Sequence, residues 1–153
     1  MNVTGDVVGE ANEIFFVTLS TPTGATISDN VGVGTIVNDD VAVLAVNDVS
    51  VVEGNSGTAP ATFTISRSGD TAGTSTVKYA TLTTGTATSG SDYTAVPLTT
   101  VSFAPGETTK AVTVNVIGDS VSEPNEYFYV SLSAATGATI SDSVGVATIV
   151  NDD

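Results

Sequence analysis

The side chains with chemistry to offer in this sequence are carboxylates. The 153-residue chain carries 17 Asp and Glu against 3 Lys and Arg, with no His and no Cys, for a net charge of −14. Without His and Cys it lacks the usual general base, the thiol nucleophile and the ligands zinc prefers. Most acids fall in turn-like stretches: Glu53 in EGNSG, Asp92 in GSDY, Asp119, Glu123 and Glu126 in GDSVSEPNE, and Asp152 and Asp153 in the terminal NDD. Calcium takes six to eight oxygen ligands in loose geometry, which such loops can supply, whereas magnesium keeps more of its water. The competing reading is that acids crowd loops for solubility. Glu123 and Glu126 superficially suggest a glycosidase pair. They stand three residues apart in one short loop with no aromatic sugar platform beside them, so the chain reads as a non-enzyme with no catalytic residue and no organic cofactor.

The elements that position these acids are strands. Apolar residues alternate with period two and show no helical period. Seven strands are expected at 41–52, 60–67, 74–82, 99–104, 108–117, 126–134 and 144–151. Turn signals separate them at 53–57, 68–73, 88–93, 104–107 and 135–143. Ala61, Phe63 and Ile65 should face a core, as should Val112, Val114 and Val116 against Ala111, Thr113 and Asn115. Seven short antiparallel strands at this spacing indicate an all-β, immunoglobulin-like sandwich. Loops of a sandwich alternate between its two ends. The loops after the first, third and fifth strands and the end of the seventh therefore share one pole, bringing together Glu53, Asp92, Asp119, Glu123, Asp152 and Asp153. Tyr93 is either an anchor or a residue that orients its loop through its hydroxyl.

The chain also repeats itself. Residues 2–40 align with 115–153 at a shift of 113, and 28 of these 39 positions are identical. A period of that length is a whole small domain rather than a solenoid unit. The expected organisation is a partial repeat at 1–40, holding only the last two strands near 14–21 and 31–38, and a complete repeat at 41–153. A lone hairpin is marginal in water. Two explanations stay open: the chain is a window on a longer tandem array, or the hairpin joins a neighbouring copy by strand exchange or addition.

The motifs VVEGNSG, GTATSGSDYTAV, VSFAPGETTKAVTVNVIGDSVSEPNEYFYVSLS and VGVATIVNDD, in that order, resemble the Calx-beta domain throughout 41–153, and residues 1–40 resemble part of it. The resemblance implies an immunoglobulin-like sandwich that binds Ca2+ at the acidic pole. Carried over by residue, it implies ligands at Glu53, Asp92, Asp119, Glu123, Asp152 and Asp153, with Glu126 at the margin of the set. Where the strongest binders of the family have two adjacent Asp, this sequence has Gly118-Asp119, and its terminal acidic run is short. Fewer carboxylates should weaken the site toward a Kd of about 10⁻⁴–10⁻³ M.

The function expected from these readings is a structural or adhesive module of a stalk or filament, rigidified by calcium where repeats meet. The alternative is a calcium-sensing domain that binds protein or glycan. Partners would be neighbouring repeats or identical chains. So acidic a chain repels nucleic acid and anionic membranes, and no stretch approaches eighteen apolar residues. The Thr-, Ser-, Asn- and Gly-rich polar surface points to the outside of a bacterial cell. The first ten residues carry no basic-then-apolar leader, so an export signal would have to lie elsewhere. Asn2-Val3-Thr4 is a weak glycosylation signal, and Arg67, Lys78 and Lys110 are too few for a basic patch.

Overall fold

A computed structural model describes residues 2–6 and 9–153. The reading of the first ten residues as leaderless falls partly on Met1, Val7 and Val8, which lie outside the described residues. Eleven strands follow in order: β1 (Glu13–Thr18), β2 (Val31–Ile36), β3 (Ala42–Val46), β4 (Val49–Val52), β5 (Gly57–Gly69), β6 (Ser75–Gly85), β7 (Thr99–Phe103), β8 (Thr109–Gly118), β9 (Glu126–Thr136), β10 (Thr139–Asp142) and β11 (Val144–Val150). From β3 onward they form two sheets, ordered β10-β3-β5-β8 and β4-β11-β9-β6-β7, while β1 and β2 pair with each other and, among the described residues, with no other strand. No helix is long and apolar enough to cross a membrane.

Alternation builds the sandwich as expected. Ala61, Phe63 and Ile65 of β5 and Val112, Val114 and Val116 of β8 are buried, and meet Val77, Phe128, Val130, Ala147 and Ile149 of the other sheet. The intervening Thr62 and Thr113, paired across the strands, face solvent with their hydroxyls 3.2 Å apart.

Two expectations are corrected, raising seven strands to nine in this unit. The run 41–52 is not one strand but two in different sheets. The chain changes sheet at Asn47-Asp48, whose side chains complete the ladders on either side. Asn47 Oδ1 accepts the Thr64 amide at 2.6 Å, and Asp48 Oδ1 accepts the Val146 amide at 2.8 Å. Gly145 leaves room for the crossing, since a Cβ there would stand 2.6 Å from the Asn47 carbonyl oxygen. The stretch 135–143 is also more than a turn. It contains β10, which pairs in parallel with β3, just as β11 pairs in parallel with β4.

Arg67, one of the three basic residues, is buried. It sits on the inward parity of β5 and is only 3% exposed. Its guanidinium lies 5.5 Å from the Phe103 ring centroid. It donates to the carbonyls of Glu107, Gly73, Thr71 and Ala104 and to Ser75 Oγ, at 2.8–3.2 Å. One planar fork thus ties the 69–75 loop to the 104–107 turn. Removing it would leave several carbonyls without their donor. Arg67→Met should cost about 3 kcal/mol in urea unfolding. Arg67→Lys should recover little of that, because an ammonium cannot reach five acceptors from one plane.

Candidate metal centre

The pole opposite Arg67 gathers the acids. Glu53 follows β4 and is 7% exposed. Its amide bonds the Val150 carbonyl at 3.2 Å, which fixes it beside the chain end. Gly54, with φ of 75°, turns its amide onto Asp152 Oδ1 at 3.0 Å, and Asn55 donates to Asp153 Oδ1. Glu53, Asp152 and Asp153 each place a carboxylate oxygen within 4.8 Å of the others.

A second group forms from Asp92, Glu123 and Glu126, with carboxylate oxygens again within 4.8 Å of one another. Asp92 closes its own loop, since its Oδ2 accepts the Thr88 amide at 2.6 Å and its amide donates to the Thr88 carbonyl at 3.0 Å. Its carbonyl accepts the Ile117 amide at 2.8 Å, which pins the loop to β8. Tyr93 fulfils both roles open to it. It is 2% exposed, its ring stacks on Phe128 at 4.4 Å, and its hydroxyl donates to the Leu82 carbonyl at 3.1 Å.

The two groups act on each other through their charges: Glu53 of the first raises Glu126 of the second, and Glu123 of the second raises Glu53. Burial first, then a hydrogen bond with Asp92 and the charges of Asp92, Glu123 and Glu53, push Glu126 from its ordinary 4.5 up to about 7. Glu53 is also raised, by burial first and by Asp119, Glu123 and Asp153, against a lowering hydrogen bond from Asn151. An array of oxygen-only donors, with no Lys or Arg ion-paired to it among the described residues, is the chemistry that a hard divalent ion satisfies.

The structure thus brings six of the seven predicted ligands into two triads, Glu126 fully among them. Asp119 belongs to neither. Its Oδ1 caps the Val121 amide at 2.7 Å, and it acts on the site through its charge on Glu53. The Gly at 118 has a steric cause: a Cβ there would lie 2.0 Å from the Gly54 carbonyl oxygen and 2.6 Å from that of Glu53. Backbone occupies the place of the second Asp.

Sequence reasoning missed Asn151. Its amide group donates to Glu53 Oε1 at 2.8 Å and to the Val121 carbonyl at 3.1 Å. Its own backbone amide is capped by Asn125 Oδ1 at 3.1 Å. The signal was in the repeat, where Asn12 and Asn38, equivalent at the shift of 113, make the same contact at 3.0 Å.

Sandwich and acidic pole together define an immunoglobulin-like β-sandwich with two carboxylate groups that could hold a metal ion. The sequence profile of the Calx-beta domain matches residues 1–48 and 37–153. The chain belongs to the Calx-beta family. It is similar to the crystal structure of the apo-form Calx CBD1 domain, at 25% identity and a TM-score of 0.66 over 74% of this chain and 99% of that one. It is also similar to the crystal structure of calcium binding domain CBD12 of CALX1.1, at 25% identity and a TM-score of 0.63 over 72% of this chain and 44% of that one. The Calx CBD2 domain, at 16% identity and a TM-score of 0.60 over 70% of this chain and 85% of that one, shares the fold.

The raised carboxylates set a pH dependence. Between about pH 4.5 and 7 the folded, metal-free protein keeps a proton on Glu126 that the unfolded chain has released. Stability must therefore fall as pH rises through that window and level off above it. Glu53 acts in the same direction. Glu107, lowered mainly by its hydrogen bond from Lys110, acts only below its ordinary 4.5, where its contribution is lost on acidification. In EGTA, the urea midpoint should be higher at pH 5 than at pH 8. Glu126→Gln should flatten that slope; an unchanged slope would show that Glu126 is not its source.

Proposed function

We propose that residues 41–153 form a calcium-binding module whose two adjoining carboxylate triads close around Ca2+, so that the ion orders the pole through which the domain meets a protein or glycan. The observation that carries this reading is the pairing of the triads Glu53–Asp152–Asp153 and Asp92–Glu123–Glu126. Similarity to a calcium binding domain supports it. Calcium would displace the proton held by Glu126 and cancel the repulsion that raises it. Glu53 and Asp152 would work from one side, Asp92 and Glu126 from the other. With Gly118 in place of an acid, the affinity expected is about 10⁻⁴–10⁻³ M. The module is a binder rather than an enzyme.

A second reading, a calcium-rigidified stalk or adhesive filament on the outside of a bacterial cell, rests on how the repeat boundary is built. Asp40 is raised by burial and then by Asp39, Asp6 and Asp70, so acids of the partial repeat and of the complete one act on a single carboxylate. Where the second repeat has Ser122, the first has Gly9, and a Cβ there would stand 1.8 Å from Asp70 Oδ2. Gly9 thus leaves the space that Asp70 occupies, which suits end-to-end stacking, and an ion near Asp39 and Asp40 would set its angle.

Thermal melting with isothermal titration tests the leading reading. About 5 mM calcium should add about 1–2 kcal/mol of stability at the affinity given above, with magnesium adding less. Glu53→Gln and Glu126→Gln should each weaken binding at least about tenfold, the loss of one charged ligand. If calcium changes neither heat nor melting temperature, the pole is a solvated acidic surface.

A further inference from the structure

We infer that the outward face of β4, β11 and β9 is a self-association surface, on which a second copy of this chain packs sheet against sheet. The inference goes beyond the calcium reading and does not rest on it. Tyr127 and Tyr129 of β9 and Val144, Val146 and Val150 of β11 alternate with the buried Phe128, Val130, Ala147 and Ile149, so they point away from the core. Val146 pairs with Tyr129 and Val150 with Val52 of β4, which makes the face continuous. Val52, Tyr127 and Val144 are 52%, 38% and 39% exposed. A sheet with its other side on the core ordinarily turns polar residues to water. The second sheet does so, with Thr62, Thr64 and Ser66 of β5 and Thr113 and Asn115 of β8 outward and exposed. The apolar outer face is therefore particular to one sheet and not a consequence of composition.

The same face recurs on β1 and β2, which share the register of β9 and β11. Glu13 pairs with Ile36 as Glu126 pairs with Ile149, and Thr18 pairs with Val31 as Ser131 pairs with Val144. Ile14, Phe16, Val31, Val33 and Val37 hold the positions equivalent to the five outward residues of β9 and β11, and are 43–65% exposed. No charged residue stands on the outward side of β1, β2, β4, β9 or β11, in a chain of net charge −14. Bulk is kept between the two copies while the phenol hydroxyls are not, since Ile14 and Phe16 stand where the second copy has Tyr127 and Tyr129. Recognition through hydroxyls or through a pair of sugar-stacking rings would need what Ile14 lacks. An apolar protein face needs only the bulk.

The area decides what kind of complex the face makes. With strands about 4.8 Å apart and about 3.4 Å per residue, the face on β4, β11 and β9 measures about 300 Å² and that on the hairpin about 200 Å². Two chains meeting through both would bury about 1,000 Å² in all, at the lower limit of a specific interface. A second copy supplies the matching face itself, in an isologous pair with two sheets stacked. Every strand keeps its present partner, so this is packing of faces and not strand exchange. The net charge opposes it, because two chains at −14 repel. Salt screens that repulsion. An apolar dimer should therefore tighten as salt rises, whereas one held by ion pairs would loosen.

Sedimentation velocity of the 153-residue chain in EGTA tests the inference, with calcium absent so that its failure and that of the calcium reading stay separate. The expected result is a reversible monomer–dimer equilibrium with a Kd of about 10⁻⁵–10⁻⁴ M, the weak range of a small interface. The dimer should tighten between about 0.05 and 0.5 M NaCl. Phe16→Lys and Tyr127→Lys should each weaken it about tenfold, and the two together should abolish it, as burying unpaired charge at a packed face does. The melting temperature of the dilute monomer should not change, since both side chains face water there. Both substitutions make the chain less acidic, so relief of repulsion alone would act in the opposite direction. Thr62→Lys with Ser66→Lys, the same charge change on the polar outer face of β5, should leave the dimer at least as tight. A chain that stays monomeric up to about 10⁻³ M, or a dimer that survives Phe16→Lys with Tyr127→Lys, would overturn the inference.

Discussion

The stack of Tyr93 on Phe128 is the contact from which the rest of the molecule follows. Phe128 is wholly buried, edge-on to Phe63 across the sandwich and face-on to Tyr93. Aromatic pairs of this kind contribute beyond the area they bury. The stack also has a chemical consequence, because each ring carries an acid with it. Asp92 precedes Tyr93, and Glu126 lies on the same face of β9 as Phe128, two residues away. Core packing thus brings together two carboxylates that would otherwise stay apart. The repulsion between them is imposed by apolar burial, with no ion pair to a Lys or Arg among the described residues at that pole to relieve it.

The fold was legible because its signal is local. Phe63 and Val114 alternate with threonines, and period two admits few readings other than a half-buried strand. The parity that turned Ala61, Phe63 and Ile65 inward also turned Arg67 inward, although a charged residue in the sequence gives no sign of burial by itself. The split of 41–52 was harder to see. Apolar residues continue through Val49 and Val51, so the pattern conceals a change of sheet whose sole local sign is Asn47-Asp48.

The candidate site was legible at the level of loops and not of contacts. Counting which loops share a pole placed the acids correctly. The division into triads, with Glu126 in and Asp119 out, depends on the Tyr93–Phe128 stack and on the backbone of Gly54 approaching Gly118. Each of these contacts stands beside an acid in the sequence but joins it to a segment far along the chain, Tyr93 to Phe128 and Gly54 to Gly118, which a local pattern does not show. Asn151 escaped notice for a related reason. A neutral amide between acids looks like loop filler until its partners, Glu53 and the Val121 carbonyl, 98 and 30 residues away, are brought beside it.

The two GATISD segments separate local from tertiary control more cleanly than any substitution, since nothing in the six residues differs. The strand at 139–142 exists because β3 offers its edge, and the same residues at 26–29 lack that neighbour. The hairpin is different. β1 and β2 keep the register of β9 and β11 without flanking strands, so their pairing is set by their own sequence and loop. Within one repeat, then, the hairpin is a locally determined unit and β10 is a conditional one. At the hairpin's end, Asp40 feels the charges of Asp39 and Asp6 and also that of Asp70, which follows β5.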